Sequence, residues 1–444
     1  MPPCQRRSCS SASQFTPGIT AQEYHDRRAA LAQSLPRDAV AILESAETKW
    51  RSGAVFFPFR QDSNFLYLTG FSEPESLAVI QKTGDSPDDF LFHLFVRPKD
   101  PAAEQWSGPW SGVQAALDVF NADRAGDIKK AGEALGPVLK GASRIYTDVD
   151  IGQGGSGGRT ASTKWGELIL SATGGKVAVD RLQPTVSRLR AIKSPAEVAN
   201  MRHAGRVSGR ALTDAMRRRW TGEKDLQAFL EHAFKGNGCD GPAYVPVVAG
   251  GPRANMIHYV HNTAALRDGE MVLVDAGGEY GTYITDITRT WPVSGRFTPA
   301  QRDLYEAVLR VQRLGVSLCR ADGGMTLDGV HRATEHALRN ELSRLGFDLS
   351  GGGGLEALFP HHVGHYVGLD VHDCPGYGRG VALQRGHCVT VEPGVYVPDD
   401  ERWPVHFRGM GVRIEDSVCV DDEGPLVLTT EAVKEVVDIE ALRD

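Results

Sequence analysis

The sequence predicts an α+β protein of two domains, a smaller α/β domain followed by a larger one in which helices alternate with β-hairpins. Three observations carry that reading. The chain has 444 residues, too many for one ordinary domain, and 41% of them are hydrophobic, enough for real cores. In the second half, short apolar runs of strand length recur and end in carboxylates: Asp275, Glu392 and Glu415. Between those runs lie apolar patterns of helical period, over about 299 to 320 and 327 to 345.

The first 22 residues stand apart. Arg6, Arg7 and the serines Ser8, Ser10, Ser11 and Ser13 precede the first acidic residue, Glu23, which is the composition of a mitochondrial targeting segment. Pro2, Pro3 and Pro17 interrupt any continuous amphipathic helix, so a disordered terminus, and with it a cytoplasmic address, is the alternative. From Thr20 the spacing predicts a helix that puts Tyr24, Leu31 and Leu35 on one face and stops before Pro36. Strands are expected over 39–43, 65–69, 77–81 and 90–96, the last ended by the proline-bearing 97–101. The glycine-rich 151–158 has neither the Lys-Ser/Thr of a phosphate loop nor the glycine spacing of a dinucleotide turn, and it reads as a flexible loop. Residues 23–190 make up this first domain.

The second domain, 191–444, is expected to open on a capped helix. Ser194 is placed to cap it, Pro195 suits its first position and Glu197 completes a capping box. Helices then run to about Asp214 and from about Lys224 to Lys235, ahead of the strands, and 351–354 reads as a second flexible insert.

Composition narrows the partners. A net charge of −7 and a pI near 6.1 speak against nucleic acid as the main partner. No apolar run is long enough to span a bilayer. The seven cysteines are scattered and never form a CxxC pair, so they suggest neither a disulfide framework nor a zinc knuckle, and a reducing compartment is expected.

The stretch 271–290 reads as two strands, 271–274 and 280–287, joined by a turn at Gly277, Gly278 and Gly281 that brings Asp275 and Asp286 together. An aspartate closing an apolar strand is costly to bury without a cation or donors, although aspartate beside glycine is also ordinary turn chemistry. Downstream, His361, His362, His365 and His372 crowd into twelve positions, and two more apolar strands end in Glu392 and Glu415.

The strings Ile257-His258-Tyr259, Asp286-Ile287-Thr288-Arg289-Thr290, Gly368-Leu369-Asp370-Val371-His372-Asp373, Val391-Glu392-Pro393-Gly394 and Arg413-Ile414-Glu415-Asp416 resemble, in this order, aminopeptidase P. That family belongs to the dinuclear metallopeptidases of the creatinase-like, or pita-bread, fold. The aromatic block 56–71 resembles the family's amino-terminal domain. The resemblance therefore implies a small amino-terminal α/β domain and a pita-bread catalytic domain.

It also implies a site. Asp275, Asp286, His365, Glu392 and Glu415 would hold two divalent ions, Asp286 and Glu415 shared, Asp275 completing one and His365 and Glu392 the other. Four carboxylates and one imidazole form a hard set that suits Mn2+, with Co2+, Fe2+ or Zn2+ as alternatives. Such ions lower the pKa of a water that attacks a peptide carbonyl. By the same resemblance His258, His361 and His372 bind substrate or stabilise the oxyanion, Glu392 is the general base, and Arg413 holds a carboxylate in place. His362 and His406 read as packed or solvated histidines.

The strings at 24–28, 96–101 and 407–416 resemble the mitochondrial branch of aminopeptidase P, which includes the intermediate-cleaving peptidases. The implied activity is removal of a single residue from the amino terminus of peptides or proteins, of Xaa-Pro type. Prolidase, the Xaa-Pro dipeptidase with the same metal centre, is the alternative. A catalytically inactive peptide-binding relative typically lacks ligands that this chain keeps. The family also implies a homo-oligomer, dimer or tetramer, in which the loop around Trp106 reaches a neighbouring site; a packed surface tryptophan is the plainer reading.

Overall fold

The computed structural model describes residues 16–151, 163–350 and 352–444. The targeting reading of 1–15, the loop reading of 152–158 and Gly351 of the expected insert lie outside the described residues. The chain divides into two units, Met1–Arg190 and Ala191–Asp444.

In the first unit, α1 (Ala21–Ser34) starts where Thr20 Oγ1 accepts the Glu23 N–H at 3.2 Å. Its inner face buries Tyr24 and Leu31 as expected, and also Arg28, whose guanidinium lies 4.2 Å from the Phe92 ring centroid and donates to Leu68 O at 2.9 Å. There follow β1 (Ala39–Glu44), the small exposed hairpin β2 (Trp50–Ser52) and β3 (Val55–Phe56), and α2 (Ser63–Thr69). Next come β4 (Leu77–Lys82), β5 (Phe90–Val96), α3 (Pro101–Ser107), α4 (Gly112–Asp118), β6 (Arg124–Asp127), α5 (Ala131–Lys140) and β7 (Arg144–Thr147). The unit closes with α6 (Lys164–Thr173), β8 (Ala178–Asp180) and α7 (Gln183–Ala191). One mixed sheet in the order β6-β5-β4-β1-β7-β8 forms its centre, and Val40, Ile42, Val79 and Phe95 pack with Leu135 and Leu139 of α5 and Ile169 of α6.

One expectation fails here. Residues 65–69 form part of helix α2 and not a strand. Asp62 caps the Phe65 N–H at 2.8 Å, and Gly70 ends the helix in the left-handed region at φ 69°, accepted by Leu66 O at 2.8 Å. Two good caps outweigh the weak strand preference of an aromatic run.

The second unit opens with α8 (Pro195–Met216), whose capping box is formed: Ser194 Oγ accepts the Glu197 N–H and Glu197 Oε2 accepts the Ser194 N–H. Then come α9 (Glu223–Gly236), β9 (Gly241–Pro242), β10 (Val247–Gly250), β11 (Met271–Asp275), β12 (Gly278–Tyr280), β13 (Tyr283–Ile284) and β14 (Thr288–Pro292). Helices α10 (Pro299–Ser317), α11 (Leu327–Arg344) and α12 (Gly354–Leu358) lead into β15 (Cys388–Val391), β16 (Gly394–Tyr396), β17 (Gly411–Arg413), β18 (Asp416–Val420), β19 (Pro425–Val427) and α13 (Val436–Ala441). Within the expected flexible insert, Gly354 therefore begins a short helix.

Three three-stranded sheets, β10-β11-β14, β13-β12-β9 and β15-β18-β19, carry the unit, with β16–β17 paired beside them. Leu230 of α9, Leu304 and Val308 of α10, and Leu338 and Leu342 of α11 share one core with Val272, Val274, Val389, Val391 and Val418. Each such side chain fully buried contributes about 1.5–3 kcal/mol.

The expected pairing of 271–274 with 280–287 is corrected. Gly281 at φ 54° and Thr282 at φ 69° close a tight two-residue turn, so Tyr280 pairs with Tyr283 in a hairpin of its own, β12–β13. The partner of β11 is β14, with Asp275 opposite Thr288. Asp286 sits in the link between them.

Candidate active site

Each half of the second unit delivers its carboxylates in the same way. Asp275 ends β11 and Asp286 lies just ahead of β14, while Glu392 follows β15 and Glu415 directly precedes β18. The two links are tied to each other reciprocally. Thr288 Oγ1 donates to Glu415 Oε2 at 2.6 Å, and the Glu415 N–H donates to Thr288 O at 3.1 Å. Ser417 Oγ accepts the Asp286 N–H at 3.1 Å and donates to Asp286 O at 2.8 Å. Arg289, fully buried, donates to Glu415 O at 2.5 Å and to Asp416 Oδ1 at 2.7 Å, which fixes the turn that presents Glu415. Two glycines allow so close a crossing: a Cβ on Gly277 would lie 1.9 Å from Thr285 O, and one on Gly364 would lie 2.0 Å from Thr390 O.

These crossings bring the predicted ligands together. Asp286, His365 and Glu415 each offer a ligand atom, and all three atoms lie within 4.8 Å of one another. His365 Nε2 is 3.4 Å from Asp286 Oδ2 and 3.4 Å from Glu392 Oε1, and Asp275 joins through Tyr244. His365 Nδ1 donates to Tyr366 O at 3.0 Å, which leaves Nε2 as the free donor atom.

The electrostatics show what the cluster lacks. Burial pushes the Glu415 carboxyl well above the usual range, with Asp286, Glu392 and Asp275 adding to it, and burial raises Glu392 to about 7. Asp275 is raised by burial and by Asp286, against Arg413. Burial also acts on Asp286, yet His365 and Tyr244 hold it below the ordinary value. His365 reaches about 9: burial opposes its charge, and Asp286 and Glu392 outweigh burial. Too few positive groups are present for two buried and two half-buried carboxylates.

Two orphan positions say what fits. Glu415 Oε1 is buried with no hydrogen-bond partner. The Tyr244 hydroxyl, with one proton, lies 2.6 Å from Asp275 Oδ1 and 2.7 Å from Asp286 Oδ1, so it satisfies only one of them at a time. A hard oxygen-rich set with unsatisfied anionic oxygens fits divalent cations, held by Asp286, His365 and Glu415 with Asp275 and Glu392 beside them.

Comparison with known proteins agrees. Residues 199–422 match Metallopeptidase family M24, and residues 24–146 match Aminopeptidase P, N-terminal domain. The chain belongs to metallopeptidase family M24. It is 41% identical to intermediate cleaving peptidase 55 of Saccharomyces cerevisiae over 97% of this chain and 85% of that protein. It is 38% identical to Xaa-Pro aminopeptidase 3 of Mus musculus, over 97% and 87%. It is also 34% identical to the mitochondrial intermediate cleaving peptidase 55 of Arabidopsis thaliana, over 99% and 86%. The crystal structure of the yeast protein superposes with a TM-score of 0.89 at 40% identity, covering 97% of this chain and 99% of that one. The fold expected from the motifs, an amino-terminal aminopeptidase P domain and a pita-bread domain, is therefore the one found, and the chain is a metal-dependent hydrolase of the aminopeptidase type.

The remaining residues singled out by sequence surround this M24 centre. Arg413 is buried and donates to Asp275 Oδ2 at 2.7 Å and to Tyr396 Oη at 2.9 Å. Tyr396 in turn donates to His361 Nε2 at 2.8 Å, while His361 Nδ1 donates to His362 O at 2.9 Å. Burial lowers His361 to about 4, so its ring is neutral and its tautomer is set from both sides. His372 is exposed, and its ring lies 4.3 Å from that of His365. His258 is exposed too, near enough to act electrostatically on His361 and His372. An open cavity of about 330 Å³ adjoins His361, lined also by His331, Glu335, Phe359, His362 and Arg379.

Sequence reasoning missed Tyr244, Thr288, Arg289, Tyr396 and Ser417 as supports. Tyr396 and Ser417 follow the two glutamates closely, and Thr288 and Arg289 follow Asp286 by two and three, so a search for donors two to four residues beyond each ligand finds four of the five. Tyr244 has no such signal, since it stands 31 residues before Asp275.

Proposed function

We propose that this M24 peptidase cleaves a single residue from the amino terminus of peptides and proteins, using the predicted ligand set. The observation that carries the assignment is the convergence of Asp286, His365 and Glu415 within 4.8 Å, with Glu415 Oε1 buried and unpartnered. Divalent ions, Mn2+ as the first choice, supply Lewis acidity to the peptide carbonyl and make water acidic. Glu392, at about 7, is poised to take the proton of the attacking water and return it to the leaving amine. Arg413 keeps Asp275 and Tyr396 in register, and Tyr396 fixes the tautomer of His361, which burial keeps neutral and whose Nδ1–H is donated to His362 O. His258 and His372, both exposed, are available to the substrate and its developing oxyanion, and His361 contributes the face of its ring to the substrate site.

The acidic floor sets the register. Asp275, Asp286, Glu392 and Glu415 attract a protonated α-amine, which favours cleavage after the first residue. The cavity beside His361 gives room for the chain beyond the scissile bond, where proline's ring fits without being obligatory. The intermediate cleaving peptidases and the Xaa-Pro aminopeptidase that this chain resembles support such a preference, and the mitochondrial relative supports action on proteins imported into mitochondria. Trp106, 91% exposed on α3, is available to a second copy and supports a homo-oligomer, which light scattering tests.

The deciding experiment incubates the manganese-loaded protein with Xaa-Pro-Xaa-Xaa, Tyr-Ser-Xaa-Xaa and the dipeptide Xaa-Pro, with products identified by mass. Release of one residue from the tetrapeptides is expected. Cleavage of the dipeptide alone makes the protein a prolidase, and internal cuts refute the exopeptidase reading.

A further inference from the structure

Two thiols face each other at the far end of the strands that present Glu392 and Glu415. Cys388 opens β15, Cys419 lies on β18, and the register sets them directly opposite. The Val420 N–H donates to His387 O at 2.8 Å, which makes 387–420 a hydrogen-bonded pair and 388–419 the non-hydrogen-bonded pair beside it. At such pairs the Cα atoms are about 4.5 Å apart and the side chains project to one face, inside the range of about 4.4–6.8 Å that a disulfide spans. The Cys419 thiol donates to Val420 O at 3.8 Å, and Cys388 is fully buried.

Their surroundings favour oxidation at this pair over the other buried cysteines. Cys388 holds the Cys419 thiol below its usual pKa, burial and Asp421 oppose this, and the ammonium of Lys193, fixed to Asp373 Oδ2 at 2.8 Å, adds to the lowering, while Cys419 and burial push Cys388 well up, so Cys419 is the thiol of the pair that ionises first. Burial pushes Cys239 and Cys319 up to about 12 instead. Cys419 is 5% exposed and stands one residue from the end of β18, where the exposed Asp422 and Glu423 begin the next turn. No part of the peptidase site uses either sulfur.

We propose that Cys388 and Cys419 are a redox modification site, which a hydroperoxide closes into a cross-strand disulfide. The Cys419 thiolate attacks the terminal peroxide oxygen, the O–O bond breaks, hydroxide leaves and a sulfenic acid remains. The Cys388 thiol then attacks that sulfur, the S–S bond forms, and the hydroxyl departs with the Cys388 proton as water. Two thiols and one hydrogen peroxide give one disulfide and two waters, the sulfurs losing the two electrons that the peroxide gains. The link ties β15 to β18 behind Glu392 and Glu415. It rests on strand register and does not depend on the assignment of the peptidase site.

The test uses the full-length protein treated with hydrogen peroxide, alkylated, digested without reductant and mapped by mass spectrometry. The expected product is a peptide pair joined through Cys388 and Cys419, which dithiothreitol separates and which appears before any oxidation of Cys239 or Cys319. In Cys388→Ala the pair is absent and Cys419 is recovered as sulfenic or sulfinic acid. Should that variant not fold, the map of the unmodified chain decides alone. Recovery of Cys388 and Cys419 as free thiols while other cysteines are oxidised overturns the proposal, as does a link from Cys419 to Cys374.

Discussion

The two halves of the catalytic unit use the same device, a strand that ends in one carboxylate paired with a strand that starts after another, yet they support those carboxylates differently. In the first half, Asp275 receives Tyr244 and Arg413, and Asp286 receives Tyr244 and His365. In the second half, Glu415 has Thr288 on one oxygen and nothing on the other, and Glu392 has no cation within bonding distance except His365. The first half is close to satisfied by protein donors alone. The second half carries an anionic deficit that a bound proton or an added cation would fill, so a metal held there would couple its affinity to stability.

The largest expected effect removes a shared ligand. Asp286→Asn and Glu415→Gln should each lower kcat/KM by about a thousandfold or more, equivalent to about 4 kcal/mol of barrier. Chelation should abolish activity in the parent, and manganese should restore it; full activity in verified metal-free protein refutes the metal assignment. The stabilities of the metal-free variants then separate the halves. Asp286→Asn leaves the His365 imidazolium with Glu392 as its one carboxylate partner and should destabilise by about 1–3 kcal/mol, whereas Glu415→Gln removes a carboxyl with an orphan oxygen and should cost nothing or stabilise. Urea unfolding measures both, and equal losses would erase the distinction.

A smaller effect sharpens the same point. Tyr244→Phe deletes the hydroxyl shared by Asp275 and Asp286 and should reduce activity or metal affinity by about tenfold to a hundredfold, as loss of a supporting donor does. Tyr396→Phe should act through His361 and so raise KM for peptide more than it changes metal affinity, measured by steady-state kinetics beside a metal titration. A Tyr244→Phe enzyme with unchanged metal affinity and rate would show that the first half does not need its shared donor.

How much of this was legible beforehand follows from the kind of signal each residue leaves. The candidate ligands end or precede apolar strands, a local pattern, and the boundary helix carries its cap in four consecutive residues, so the positions of both are legible in the sequence. The pairing of β11 was misread because Gly281 and Thr282 could close either a large hairpin or a small one, and strand composition does not distinguish a partner nine residues away from one seventeen away. The aromatics of 65–69 favour a strand by composition, while the residues that make α2 a helix, Asp62 and Gly70, lie outside that run as its caps. The reciprocal ties of Thr288 to Glu415 and Ser417 to Asp286 link positions 127 and 131 residues apart, and no local pattern reports them.

The smallest effect concerns pH and again falls on one half. Five residues ahead of each strand-end carboxylate the first half carries Glu270 and the second carries His387. His387 is fully buried, its Nδ1 accepts the Gln384 N–H at 3.1 Å, and its Nε2 lies 3.3 Å from Tyr377 Oη, so the ring is neutral with the proton on Nε2. Burial, helped by the charge of Lys193, lowers it to about 4. The unfolded chain therefore binds this proton first as pH falls. The stability it represents is complete above the unfolded value of about 6.5 and is lost as pH falls from there through about 4, by up to about 3 kcal/mol. The protection factors of the β15 and β18 amides, exchange rates corrected for their intrinsic pH dependence, should accordingly fall across that window, and His387→Gln, which keeps an acceptor but cannot charge, should flatten the response. His93 in the other unit, also lowered to about 4 by burial, keeps the same sign in the variant and serves as the internal control. If β15 and β18 exchange no faster at low pH than β10 and β11, the second half has no acid sensitivity of its own and the asymmetry between the halves is confined to the metal site.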